Sequence, residues 1–188
     1  ARSCGARLFV VAAKQSGMVD EDDLARLIDT HATSGGRALI SVQLANNETG
    51  VIQPVSRVVE LARDHEIAVH SDAVQAVGRM KVDFKALGVD FMTVSAHKFG
   101  GPKGMGALIL REGMKLEPFL RGGGQERRMR AGTENVPGIA AFGAAAAAVT
   151  AGLETEQRQI TRLRDKLEKE ALALAPGAVV IGSKADRL

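Results

Sequence analysis

Apolar positions along the chain switch between two periods. Residues 6–13, "ARLFVVAA", form a short apolar run with strand character. "DEDDLARLIDTHA" then sets Leu24, Leu27 and Ile28 on one helical face, with acids in the first turn where they complement the helix dipole. "RALISVQLAN" reads as a buried strand that ends in polar residues. "PVSRVVELARDHE" returns to helical spacing, with Pro54 suited to a helix start and Val55, Val58, Val59 and Ala62 on one face. "IAVHSDA" and "FMTVSAHK" are two further strands, separated by "VQAVGRMKVDFKALGVD", and "GALILRE" is a fifth.

Strands that alternate with helices predict an α/β fold: a mostly parallel sheet, right-handed crossovers, and helices on both faces. The final connection, "FGGPKGM", is too short for a helix, so "GALILRE" is expected to run antiparallel to its neighbour. After "ENVPG" the character changes. Ile139 to about Pro176 reads as one long helical region, Ala-rich first and charged later, and Gly177 suits its stop. "AVVIGS" then looks like the opening strand of another unit. The expected division is a large domain over 1–138, a bridging helical region over 139–176, and the start of a small α/β domain over 177–188.

Composition narrows the function classes. At 45% apolar and 25% charged, the chain of 188 residues matches a globular protein. A formal charge of +3, with no Trp or Tyr, gives no footing for a nucleic-acid partner. The run "GIAAFGAAAAAVTAG" falls short of the roughly 20 apolar residues of a membrane span, so no membrane partner is expected. A single cysteine, Cys4, rules out an internal disulfide framework and fits a reducing, cytoplasmic setting.

Candidate chemistry lies at the strand ends, where open parallel sheets bind ligands. One strand ends in "LANNETG", giving Asn46, Asn47 and Glu48. The next ends in "HSDAVQ", giving His70, Asp72 and Gln75, and the one after ends in "SAHK", giving Ser95, His97 and Lys98. Asp72 follows a run that should be core, and a buried carboxylate needs a cation or strong donor beside it. It reads either as a cap for the following turn or as a counter-ion to Lys98 or to a ligand nitrogen. A half-desolvated lysine suits nucleophilic and Schiff-base chemistry. "GGPKG" does not match a nucleotide-binding P-loop. His70, Ser71 and Asp72 cannot form a hydrolytic triad, because consecutive strand residues face opposite ways. No paired histidine or cysteine spacing supports a metal site. The arginines Arg121, Arg127, Arg128 and Arg130 around the Gly-rich stretch read first as a solvated face, and otherwise as a guide for anionic substrate.

In order along the chain, "NNETG", "HSDAVQAVG", "SAHKFGGPKGMGAL" and "GGGQERRMRAGTENVPGIAAFG" resemble the cysteine desulfurases of the class V aminotransferase group, with selenocysteine lyase similar. The resemblance implies the large domain of fold type I, pyridoxal 5'-phosphate (PLP) as cofactor, and L-cysteine as substrate. Alanine and an enzyme persulfide would be the products, the persulfide feeding iron–sulfur cluster or thio-cofactor assembly. By the same resemblance, Lys98 holds PLP as a Schiff base and moves protons, while Asp72 pairs with the pyridine nitrogen. Gln75 bonds the ring's phenolic oxygen, Asn47 sits beside that oxygen and the substrate carboxylate, and Ser95 and His97 take the phosphate. Thr133 reaches the phosphate of a neighbouring subunit, which implies a homodimer. An iron–sulfur scaffold or sulfur-acceptor protein is the implied partner.

The resemblance also implies pieces outside this sequence: an upstream loop and ring-stacking histidine, and a downstream loop with the sulfur-accepting cysteine and a substrate-binding arginine. Cys4 lacks that loop's context. The chain is therefore expected to be the central part of a larger enzyme and to lack desulfurase turnover by itself. A selenocysteine lyase and a non-catalytic scaffold module are the competing readings.

Overall fold

The structure, a computed structural model, describes residues 5–34 and 36–188. Cys4 lies outside them, as do the side chains of residues 32–34. The regular elements are α1 (Glu21–Ser34), β1 (Leu39–Gln43), α2 (Val55–Arg63), β2 (Ala68–Asp72), α3 (Phe84–Leu87), β3 (Phe91–Ser95), β4 (Gly106–Leu110), α4 (Gln125–Arg128) and α5 (Val136–Leu174). A 3-10 turn, Ala96–Phe99, follows β3 directly.

The sheet runs in the order β1-β2-β3-β4. β1, β2 and β3 are parallel, with Ser41 opposite His70 and Asp72 opposite Thr93. β4 is antiparallel to β3, as its short connection requires. α2 forms the crossover between β1 and β2, and its expected face, Val55, Val58, Val59 and Ala62, is buried. α1 starts where the Asp20 carboxylate accepts the N–H groups of Asp22 and Asp23, and it buries Leu24 and Ile28. These helical faces meet Val69 of β2 and Met92 of β3 in one apolar cluster.

Alternation along the strands sends Ser41, His70, Asp72, Thr93 and Ser95 to the opposite face. That face corrects the expectation of helices on both sides. Leu39 is 58% and Leu108 44% exposed there, because among the described residues α1 to α3 gather on the side of Val69 and Met92.

Two strands read from the sequence are absent. Residues 6–13 carry only an isolated bridge from Ala13 to Val19, and Leu8, Phe9 and Val10 stay exposed. Without a neighbouring strand to pair with, an apolar run has no ladder to join. "AVVIGS" ends in a turn, and pairing moves downstream, to a bridge between Val51 and Arg187.

The long helix begins at Val136, earlier than its periodicity indicated, with the Asn135 side chain accepting the Gly138 N–H. α5 is long and apolar enough to cross a membrane by length and composition alone, which corrects the expectation that its Ala-rich run falls short of a span. Alanines supply most of the apolar character of that stretch. Part of this helix packs on the sheet domain, with Phe142 against Phe99 at a ring separation of 5.6 Å.

Candidate active site

Three parallel strands end at one edge, and the chain leaves each in a tight turn. After β1, the Asn46 Oδ1 accepts the backbone N–H groups of Glu48 (2.8 Å) and Thr49 (2.9 Å), closing a turn that carries Asn47 exposed at its tip. Asn46 therefore builds the turn and Asn47 is presented by it.

After β2, the Asp72 Oδ1 accepts the Val74 N–H at 2.9 Å. Its other oxygen makes no hydrogen bond among the described residues. The cap reading and the ligand reading of Asp72 thus coexist, one on each oxygen. Asp72 is exposed, which corrects the expectation of a buried carboxylate: it stands on the open face at the last residue of β2. Gln75 lies in the next turn, half-buried, with its carbonyl accepting from Arg79 at 3.0 Å.

After β3, the 3-10 turn presents His97 and Lys98. The Ser95 hydroxyl and the His97 Nδ1 are 2.9 Å apart, so serine and imidazole are held as a pair. Lys98 is half-buried and makes no hydrogen bond or ion pair among the described residues. Its turn is tightly seated. Gly101 donates to the Ala96 carbonyl at 2.9 Å. A Cβ on Gly78 would lie 2.8 Å from the Phe99 Cβ, and Gly78 has φ +82.

The register decides whether these ends converge. Asp72 opposes Thr93, and Ser95 points to the same face two residues further on. Asp72, Gln75, Ser95, His97 and Lys98 thus share one edge, with Asn47 on the adjacent turn. β1 and β2 are tied there by the Leu44 N–H to the Asp72 carbonyl at 2.7 Å. Thr133 belongs to a different element, exposed in the loop between α4 and α5.

His70 occupies a different position from the one its sequence suggested. It sits inside the open face, its Nδ1 2.8 Å from the Ser41 Oγ and its Nε2 3.1 Å from the Thr93 Oγ1. Burial pushes its pKa below the ordinary imidazole value, partly offset by the charge of Asp72. Sequence reading missed Ser41 and Thr93. The signal was available: both are polar residues at the strand positions that face the way His70 does.

The donor set suits a cofactor that combines a phosphate, a pyridine nitrogen and an aldehyde. A serine–histidine pair offers donors for an anion, a carboxylate keeps an oxygen available for a protonated ring nitrogen, and a half-buried amine is without an ionic partner among the described residues. Among the described residues no group of His, Cys, Asp and Glu could hold a metal ion.

A parallel sheet with these groups at its carboxyl edge defines a PLP-type transferase scaffold. The sequence profile "Aminotransferase class-V" matches residues 1–188, and the chain belongs to that family, whose members work with PLP. It is 45% identical over 172 residues to "Cysteine desulfurase IscS" of Methanosarcina thermophila, which covers 92% of this chain and 41% of the relative. It superposes on the X-ray structure of a NifS-like protein from Rickettsia africae ESF-5 with a TM-score of 0.90, at 38% identity, over 95% of this chain and 49% of that one. A structure described as SspA in complex with cysteine gives a TM-score of 0.69 at 32% identity, over 78% of this chain and 41% of that one. The chain spans less than half the length of these relatives.

Proposed function

We propose that this chain is the cofactor-binding part of a PLP-dependent cysteine desulfurase, which takes sulfur from L-cysteine and leaves alanine and a persulfide. One observation carries the reading: Asp72 and the Ser95–Lys98 segment emerge from adjacent parallel strands at one edge, on one face. The relatives named as cysteine desulfurases, and the related structure in complex with cysteine, support the choice of substrate.

PLP, when bound, supplies an electron sink that weakens bonds at the amino acid's α-carbon. The residues of this chain bind and orient. Lys98 is the covalent attachment point and the base that holds or returns a proton at its Nζ. The available oxygen of Asp72 keeps a ring N–H protonated, and the Ser95–His97 pair donates to phosphate oxygens. Gln75 and Asn47 take the ring's phenolic oxygen, with Asn47 also near the substrate carboxylate. Thr133 serves the phosphate of a neighbouring subunit, so a homodimer belongs to the same proposal. So do a cytoplasmic location and an iron–sulfur scaffold or sulfur-acceptor partner.

The test is a titration of the chain with PLP, followed by visible absorption. A band that forms in the wild type and is lost in Lys98→Ala is expected. An unchanged band in Lys98→Ala, or none in the wild type, defeats the reading.

A further inference from the structure

The turn that presents Asn47 is not held by the sheet alone. Residues 186–188 lie along it through an isolated antiparallel bridge that pairs Val51 with Arg187: the Ile52 N–H donates to the Asp186 carbonyl at 2.8 Å, and the Leu188 N–H to the Gly50 carbonyl at 2.9 Å. Val51, between these bonds, is fully buried. The approach is close enough that a Cβ on Gly182 would lie 2.5 Å from the Val51 Cγ2.

A bridge with two main-chain bonds needs further anchoring, because even isolated strand pairs are marginal in water. α5 supplies it from the other side. Arg187 makes a two-point ion pair with Glu168, at 2.6 and 3.0 Å, and the two side chains are only 12% and 25% exposed. Arg164, one turn earlier on the helix, donates to the carbonyls of Arg187 (3.1 Å) and Leu188 (2.9 Å). A paired guanidinium and carboxylate with this geometry is stronger than an ordinary surface pair. Among the described residues, the long-range pairs of Arg57 with Glu21 and Arg111 with Asp90 leave the arginine 51% and 57% exposed.

We propose that Arg187 is a positioning residue: its pair with Glu168 seats residues 186–188 between α5 and the 46–51 turn, and so fixes where Asn47 stands. The long helix and the site edge then move as one body on this side. The inference rests on the proposed function only for the role of Asn47; the clasp itself is independent of it.

The experiment compares Arg187→Met, Glu168→Gln and Arg187→Lys by amide hydrogen exchange. Arg158→Met, which removes an exposed pair with Glu154 on the same helix, is the control. The amides followed are Ile52 and Leu188 in the clasp, and Glu48 and Thr49, whose N–H groups close the turn on Asn46. Arg187→Met and Glu168→Gln are expected to speed exchange at all four by about tenfold, Arg187→Lys by less, and the control not at all. Acceleration confined to Ile52 and Leu188, or absent, overturns the proposal. Should Arg187→Met fail to fold, Glu168→Gln and Arg187→Lys decide.

A second arm uses PLP. Arg187→Met is expected to shift the pH midpoint of the visible band in the direction that Asn47→Ala shifts it, and an unmoved midpoint beside a shifted Asn47→Ala also overturns the proposal. Failure of the wild type to form the band defeats the proposed function, while the exchange data still decide the clasp.

Discussion

The Ser41 Oγ stands 2.8 Å from the Nδ1 of His70, and through that imidazole three parallel strands are stitched together on the open face of the sheet. Both ring nitrogens meet hydroxyls, and a hydroxyl can donate or accept, so the contacts do not themselves demand a charge. Burial sets the preference instead: it favours the neutral ring.

That preference sets a pH dependence. The folded-state pKa of His70 is lowered relative to its value of 6.5 in an unfolded chain, so on acidification the unfolded chain takes up the proton first. The contribution to stability is complete above about pH 6.5 and is lost as the pH falls through the folded value. Chemical denaturation between pH 7 and about 5 should therefore give decreasing stability. His70→Gln should flatten that slope, and an equal slope in the variant would refute the assignment.

The adjacent asparagines are expected to separate by role. Asn46→Ala removes the acceptor for two backbone N–H groups and should cost about 1–2 kcal/mol in denaturant unfolding. Asn47→Ala, at an exposed tip, should leave unfolding within about 0.5 kcal/mol while it alters the PLP band. Equal losses of stability would contradict the division.

Gly78 carries the seat of Lys98. With φ +82 and the Phe99 Cβ 2.8 Å from where its own would stand, Gly78→Ala has no low-strain solution. A loss of about 1–3 kcal/mol is expected, together with weaker capture of PLP, because Phe99 must shift and Lys98 precedes it. Wild-type stability in this variant would show the approach to be looser than described.

Asp90 joins two strands away from the site. Its Oδ2 accepts the Val69 N–H at 2.8 Å, and its Oδ1 accepts from the Arg111 Nε at 2.7 Å. Asp90→Ala leaves a backbone donor beside the core unpaired and should cost about 1–3 kcal/mol, with no change in the visible band beyond that of the folded fraction. Removing only Arg111 should cost less than about 1 kcal/mol, because its side chain is 57% exposed.

Helices with strong amphipathic spacing were legible at once. Val55, Val58, Val59 and Ala62 sit at intervals that admit one buried face, and the structure buries all four. The antiparallel direction of β4 followed from chain length alone, since "FGGPKGM" cannot cross the sheet. Polar groups after apolar runs marked the carboxyl edge of a parallel sheet, but that pattern also offered Asn46, Glu48 and His70, and the family resemblance singled out Asn47, Asp72, Gln75, Ser95, His97 and Lys98.

Local pattern failed where neighbours decide. "ARLFVVAA" and "AVVIGS" have strand composition, but a strand exists only through a partner, and the ladders went elsewhere. Sequence likewise placed Asp72 in the core, because periodicity cannot say whether a sheet's second face is covered. It could not bring Arg187 to Glu168, or residues 186–188 to the Asn46 turn, since those contacts join segments that are remote along the chain. The sequence determined which side chains the strand edge would carry and the kind of chemistry they suit. Tertiary structure decided which of them share a face, which are bound up in making turns, and what holds the edge still, because register and long-range pairing are properties of the folded chain.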